Sequence, residues 1–394
     1  MSIASRLKAA SRPNVLWKGP EDDSPLGGIT QSMMSDFLSC KERFRVKYVE
    51  GLQPISKFNR AIEFGNMWHE CEEALASQGV ERELVRVTGL HKAARSWESA
   101  LRTYSEKLST RYPFDRGEIL KWTHVIQVQF PEYIRYWSAH PDVLKREPIL
   151  QEKLFKVRYD LPSGRTVILR GKWDSVDLIG DGIWLKENKT KTKFDLPQIQ
   201  RQLSFDLQTA TYLTALYQDT GIDELEEVKM RVGKGKTPAA RAQWAIKGTS
   251  YNVVRRECPI KQHEGRQLKS GWKEGESVSG WMERLRSGYF AAKPDEWFAR
   301  FSSKVSHADI LLFQRTFLNP FLENMCWWYD EVTGGRSDYP PPPTHWRTPF
   351  GIYSALTESG FTEMDEYLAN GSTVGLRRIE TLFPELELKE KTCS

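Results

Sequence analysis

The stretch 149-ILQEKLFKVRYDLPSGRTVILRGKWDSVDLIGDGIWLKENKTK-191 decides how this chain folds. Apolar and polar residues alternate through 149–161, the signature of a half-buried strand. A turn follows at 162-PSG-164, then a second run at 165–179, a second turn at 180-GDG-182, and a third run at 183–191. Three such runs joined by glycine-containing turns predict a meander of antiparallel hairpins.

Working downstream, 203-LSFDLQTATYLTALYQ-218 reads as an amphipathic helix with Leu207, Ala210, Leu213 and Leu216 or Tyr217 on its stripe. A short strand is expected at 226-EEVKMRV-232, further strands within 242–258, and a long helix over 306–333 bent at Pro320. Pro340 to Pro343 form a stiff spacer. Upstream, helices are predicted at 60–77 and within 29–51, where Thr30 or Ser32 is the cap. Residues 80–147 read as several helices, with stripes at Trp97, Leu101, Tyr104 and at Ile126, Phe130, Ile134, Trp137. The expected fold is therefore α/β (or α+β), a mixed central sheet flanked by helices. An arm occupies 1–28, a core 29–240 carries a helical insertion at about 80–147, and a mostly helical C-terminal extension at 241–394 packs on the core.

With 39% hydrophobic and 28% charged residues, the chain has the composition of a globular protein. No stretch approaches the roughly 18 uninterrupted apolar residues of a membrane-spanning helix, so no membrane partner is expected. The net charge of +5 leans mildly toward polyanionic partners. Cys40, Cys71, Cys258, Cys326 and Cys393 are scattered and form no C-x-x-C pair, which argues for a reducing, intracellular compartment over a disulfide framework or zinc ribbon. Arg6, Lys8 and Arg12 lie in an arm that lacks the apolar core of a secretory signal.

Four elements carry chemistry. His69 lies on the helix at 60–77, and Gly171-Lys172-Trp173-Asp174 lies in the second strand. Glu187-Asn188-Lys189 ends the third strand, and Gln208 and Tyr212 stand one turn apart on the next helix. A tight turn joins the strands of Asp174 and Glu187, so their carboxylates can converge. Alternation puts Glu187 and Lys189 on one face, about 7 Å apart along the strand. Hard oxygen ligands of this kind suit Mg²⁺ or Mn²⁺. Each element alone is commonplace; their order and placement together carry the reading. His91, His124, His140, His263, His307 and His345 have no partner motif and read as structural. Trp327, Trp328 and Tyr329 read as core packing of the long helix, and Cys71 as a packed thiol. The cations Lys186, Lys191, Lys193 and Arg201 surround the third strand; Lys229, Arg231, Lys234, Lys236, Arg241 and Lys247 follow it. They form either a solvated face or a surface that tracks phosphates.

The set 65-GNMWH-69, 171-GKWD-174, 187-ENK-189 and 208-QTATY-212 resembles the PD-(D/E)xK nuclease superfamily, in particular its RecB-like exonuclease branch, which includes the Cas4 proteins. The opening helix 32-SMMSDFLSCKERFRVKY-48 is similar to that branch too, and the resemblance covers roughly 30–230. It implies a restriction-endonuclease-like core. His69, Asp174 and Glu187 would ligate Mg²⁺ or Mn²⁺ together with the Asn188 carbonyl. Lys189 would be the catalytic lysine beside Glu187 and Asp174, and Gln208 and Tyr212 would position nucleic acid with Lys191 and Lys193. The implied function is a DNA exonuclease acting on ends or single strands in repair, recombination or phage DNA processing, with a recombination or repair protein as a partner. Alternatives are a structure-dependent endonuclease, or a catalytically silent nucleic-acid-binding subunit of a recombination or CRISPR-adaptation-like complex. Iron–sulfur members of the branch carry three clustered downstream cysteines. Here only Cys40 stands at the upstream position, and 340-PPPPTHWRTPFGIY-353 has none, so no iron–sulfur cluster is expected.

Overall fold

The structure is a computed structural model and describes residues 15–55, 57–77, 90–138, 146–204, 206–218, 220–235, 237–258, 262–263, 266–267, 276–334 and 363–383. Arg6, Lys8, Arg12, His140, Lys236, His345, Cys393 and the run from Pro340 to Pro343 lie outside these residues.

After α1 (Gln31–Ser39), whose cap is Thr30, comes the short β1 (Leu52–Pro54). Three helices follow: α2 (Arg60–Ser77), α3 (Leu90–Arg111) and α4 (Arg116–Ser138). The hairpin strands are β2 (Arg146–Asp160), β3 (Thr166–Ile179) and β4 (Gly182–Lys191). They are antiparallel, as the alternation and turns predict, with Gly164 at φ 86° and Gly180 at φ 63° in the turns. These left-handed positions favour glycine, which has no Cβ to clash.

The sheet does not stop there. Strand β5 (Ile246–Arg255) lies parallel to β4, and β6 (Phe298–Lys304) is antiparallel to β5, giving a five-stranded mixed sheet in the order β2-β3-β4-β5-β6. A parallel neighbour needs a long crossover. Here it runs through α5 (Leu196–Leu203), α6 (Leu207–Tyr217), α7 (Asp223–Val232) and α8 (Pro238–Ala245). Asp195 and Thr237 cap α5 and α8 by accepting backbone N–H bonds. Beyond β6, β7 (Leu376–Arg378) pairs with β1.

Two apolar clusters hold the helices to the sheet. One joins Met34, Phe37, Phe155, Trp173, Leu213 and Trp328; the other joins Phe64, Trp68, Trp97, Trp122, Phe130 and Phe298. Trp328 therefore packs as expected, edge-on to Phe37 and Phe44, while Trp327 is about half exposed. No helix among the described residues is long and apolar enough to cross a membrane.

The structure corrects the reading of 226–232. That segment belongs to helix α7, not a strand. Asp223, Glu224 and Glu226 stand in its first turn, and Lys229 and Arg231 in its last, the charge order that a helix dipole favours. The alternation in 226–232 was too short to outweigh the helical spacing of Leu225, Val228 and Val232. The long helix expected over 306–333 is present as His307–Phe313, a π-helical turn at Gln314–Leu318 and Asn319–Gly334, with Pro320 in the first turn of the last segment. Proline has no N–H to continue the ladder there.

Candidate active site

Helix α2 starts at Asn59, whose Oδ1 accepts the Ala61 N–H at 2.9 Å. Its apolar stripe of Phe64, Met67, Trp68, Cys71 and Leu75 is buried. His69 turns the other way, toward the sheet. Its Nδ1 lies 3.4 Å from Glu152 Oε1 and 3.7 Å from Asp174 Oδ1. One ligand atom from each of these three residues lies within 4.8 Å of the others.

Glu152 was not among the residues singled out from sequence, yet a signal existed. The turn closes with Leu161 N–H donating to Arg165 C=O, so Ser163 is its centre. Glu152 and Asp174 each lie eleven residues from Ser163, and the ladder keeps that register: Gln151 pairs with Ser175 and Lys153 with Trp173. The polar triplet Gln151-Glu152-Lys153 also breaks the apolar alternation of β2. Glu152 sits at φ 44°, a left-handed conformation that costs a non-glycine residue roughly 1–2 kcal/mol.

Glu187 is fully buried on β4, and it stands outside the His69, Glu152 and Asp174 group. Its Oε2 accepts from Gln208 Nε2 at 3.3 Å and pairs with Lys189 Nζ at 3.2 Å. Its Oε1 is buried and has no hydrogen-bond partner among the described residues. Burial, reinforced by the Asp174 charge and opposed by Lys189, pushes the Glu187 carboxyl up to about 8. Burial likewise raises Asp174, against the pull of His69.

Lys189 Nζ donates to Gln208 Oε1 at 2.6 Å and lies 3.7 Å from Asp206 Oδ2. Burial would lower its pKa, but Glu187, Asp206 and Asp174 outweigh it and hold the ammonium above its usual range. Asn188 donates its backbone N–H to Asp174 Oδ2 at 2.8 Å, while its side-chain oxygen accepts from Asn252. Tyr212 stacks edge-on against Phe155, with ring centroids 5.3 Å apart. This packing explains Gly171, where a Cβ would stand 2.6 Å from Phe155 Cζ and 3.0 Å from Tyr212 Cε1.

The outlying cations divide. Lys186 and Lys229 are buried: Lys186 pairs with Glu72, and Lys229 with Glu226 and the Gln218 carbonyl. Lys191 is half-buried and Lys193 exposed, just beyond the site.

The residues fit a divalent cation. Burial disfavours an imidazolium at His69, yet Asp174 and Glu152 outweigh it and push the His69 pKa up to about 9. A site that draws a proton onto its histidine is built for positive charge. The orphaned Glu187 oxygen is a second acceptor awaiting a partner, and buried polar groups are rarely left unpaired. Lys172, 2.5 Å from Glu152 Oε2, adds a second ammonium at the rim.

A family model for the PD-(D/E)XK nuclease superfamily matches residues 29–302. No curated protein matches the chain.

Proposed function

The chain belongs to the PD-(D/E)XK nuclease superfamily, and from that premise we propose that it is a Mg²⁺- or Mn²⁺-dependent DNA exonuclease of the RecB-like branch. Superfamily membership implies a metal-dependent nuclease that binds DNA. The finer reading is supported by the buried group of His69, Glu152 and Asp174, with Glu187 near enough to feel the Asp174 charge and the Lys189 ammonium paired to Glu187. Glu152 joins this set as a ligand. The Asn188 N–H faces Asp174, and a strand residue's N–H and C=O point to the same side, which supports its carbonyl as a further ligand.

When bound, a divalent ion supplies a water of lowered pKa and positive charge for the leaving oxygen. The chain's own groups do the rest. Lys189 stays protonated, so it orients the attacking water and stabilises charge growing on the phosphate, and does not take the proton. Gln208 holds Lys189 and Glu187 in one geometry through two hydrogen bonds. Tyr212, Lys191 and Lys193 position the strand. The hairpin of α3 and α4 forms a wall that restricts entry to strand ends. The enzyme acts in repair, recombination or phage DNA processing beside a recombination or repair protein.

The observation that carries the reading is the buried Glu187 carboxylate with one unpartnered oxygen beside a charged lysine. The test is uniformly radiolabelled linear and circular DNA with Mg²⁺, Mn²⁺ or chelator, with Glu187→Ala as control. Mononucleotides released from linear DNA alone are expected. Equal cleavage of circular DNA would make the chain an endonuclease, and no metal-dependent cleavage of either would make it a binding subunit.

A further inference from the structure

Beyond Lys189, strand β4 runs into a group of cations that pairs with no carboxylate among the described residues. Lys191 lies two residues on, roughly 7 Å along the strand, and Lys193 two residues further. Arg256 reaches this end of the sheet from the residue after β5. Its backbone N–H donates to Lys191 C=O at 2.8 Å, one guanidinium nitrogen donates to Thr192 Oγ1 at 2.9 Å, and the other donates to Ala61 C=O at 2.7 Å. Ala61 adjoins Arg60 in the first turn of α2, and the Arg60 charge bears on Arg256. None of Arg60, Lys191, Lys193 and Arg256 forms an ion pair with a carboxylate among the described residues.

Arg60, which lies over the Trp122 ring, and Arg256 stand close enough for their charges to repel, and the Arg256 backbone N–H ties this pair to Lys191, with no carboxylate partner for the group among the described residues. Packing tolerates this where a polyanion completes the set. A second observation lies at the same end of α2. The turn between α3 and α4 carries Phe114, which is fully exposed. Its neighbour Tyr112 packs against Phe58, with ring centroids 5.8 Å apart, and Phe58 stands two residues before Arg60. An exposed ring beside a basic track is the chemistry that holds a single strand: cations follow the phosphates, and an aromatic face accepts any base.

We propose that Arg60, Lys191, Lys193 and Arg256 clamp backbone phosphates and that Phe114 stacks on a base of the same strand, so that a single-stranded stretch of nucleic acid runs along this edge. This rests on the nuclease reading only for what happens to the strand at the pocket; capture of the strand is separate chemistry and is tested separately.

The experiment uses the full chain in chelator, where no cleavage intervenes, with a fluorescent oligothymidylate titrated by anisotropy at several salt concentrations. Arg60→Gln with Lys193→Gln removes two exposed cations that make no side-chain hydrogen bond among the described residues, Arg60 lying over the Trp122 ring. It should lower the slope of log K against log salt by about 1.4, at roughly 0.7 per phosphate contact on a single strand. Arg60→Lys with Lys193→Arg should restore the slope, which a folding defect would not do. Phe114→Ala should weaken oligothymidylate binding about 5- to 150-fold, the range for one lost stacking contact, and leave a blunt duplex nearly unaffected. An unchanged salt slope in the glutamine variant, or a loss that the Lys/Arg variant does not restore, overturns the clamp. Unchanged affinity of Phe114→Ala, or equal losses on strand and duplex, overturns the single-strand assignment. Metal-dependent cleavage plays no part in these readouts, so the clamp and the nuclease reading fail or stand independently.

Discussion

At the scale of single residues, the pocket depends on charges that would be costly if left alone. Glu152, Asp174 and Glu187 are all buried, and among the described residues His69, Lys172 and Lys189 are the cationic groups that pair with them. Removing one acid should therefore weaken cation binding more than it disturbs the fold. Glu152→Ala is expected to reduce Mn²⁺ affinity at least tenfold, about 1.4 kcal/mol, as measured by calorimetry. An unchanged titration would remove Glu152 from the site. Lys189→Ala should lower cleavage by about 10²–10³, the effect of deleting one preorganised donor at a developing charge, while DNA binding in chelator is retained. Parallel loss of both would assign Lys189 a folding role.

At the scale of elements, the position of His69 depends on how α2 is fastened to the sheet. Glu72 lies one turn beyond His69 and pairs with Lys186 of β4 at 3.3 Å, and both groups are buried. Arg146 of β2 pairs with Asp177 of β3 at 3.2 Å in the same buried network. Breaking a buried ion pair from one side leaves the other charge uncompensated, at a cost of about 3–5 kcal/mol. Lys186→Ala should thus lower the denaturant midpoint with an unchanged m-value. Lys186→Met with Glu72→Leu, which removes both charges, should recover most of the loss; a double variant as unstable as the single would show that packing, not charge, holds α2 in place.

At the scale of the whole molecule, the sheet is completed by strands far from the hairpins. β5 and β6 come from residues 246–304, and β5 pairs along the full functional end of β4, from Glu187↔Tyr251 to Lys191↔Arg255. The pocket is thus backed by chain that enters only after a four-helix crossover. A ligand that binds the folded pocket alone stabilises the entire fold. Mn²⁺ at a hundred times its dissociation constant should add about 2.7 kcal/mol, seen as a rise in Tm that chelator reverses. Asp174→Ala should show no such rise. A wild-type Tm indifferent to Mn²⁺ would mean that no cation binds the native site.

What the amino-acid sequence determined by itself was local. The hairpins of β2, β3 and β4 follow from alternation and glycine turns, and the shared face of Glu187 and Lys189 follows from the pleat. The helices carrying His69 and Gln208 follow from the spacing of their apolar residues. Neighbouring residues settle each of these, so no distant contact is needed to read them. Only the tertiary structure decided the rest. It brought Glu152 to His69 across 83 residues of sequence, buried Lys186 against Glu72, and made α7 a helix where a short alternation pointed to a strand. It also gathered Arg60, Lys191 and Arg256 onto one edge. These outcomes depend on which surfaces meet after packing, because burial and partner charge, not residue type, decide whether a lysine faces solvent or a glutamate faces a cation.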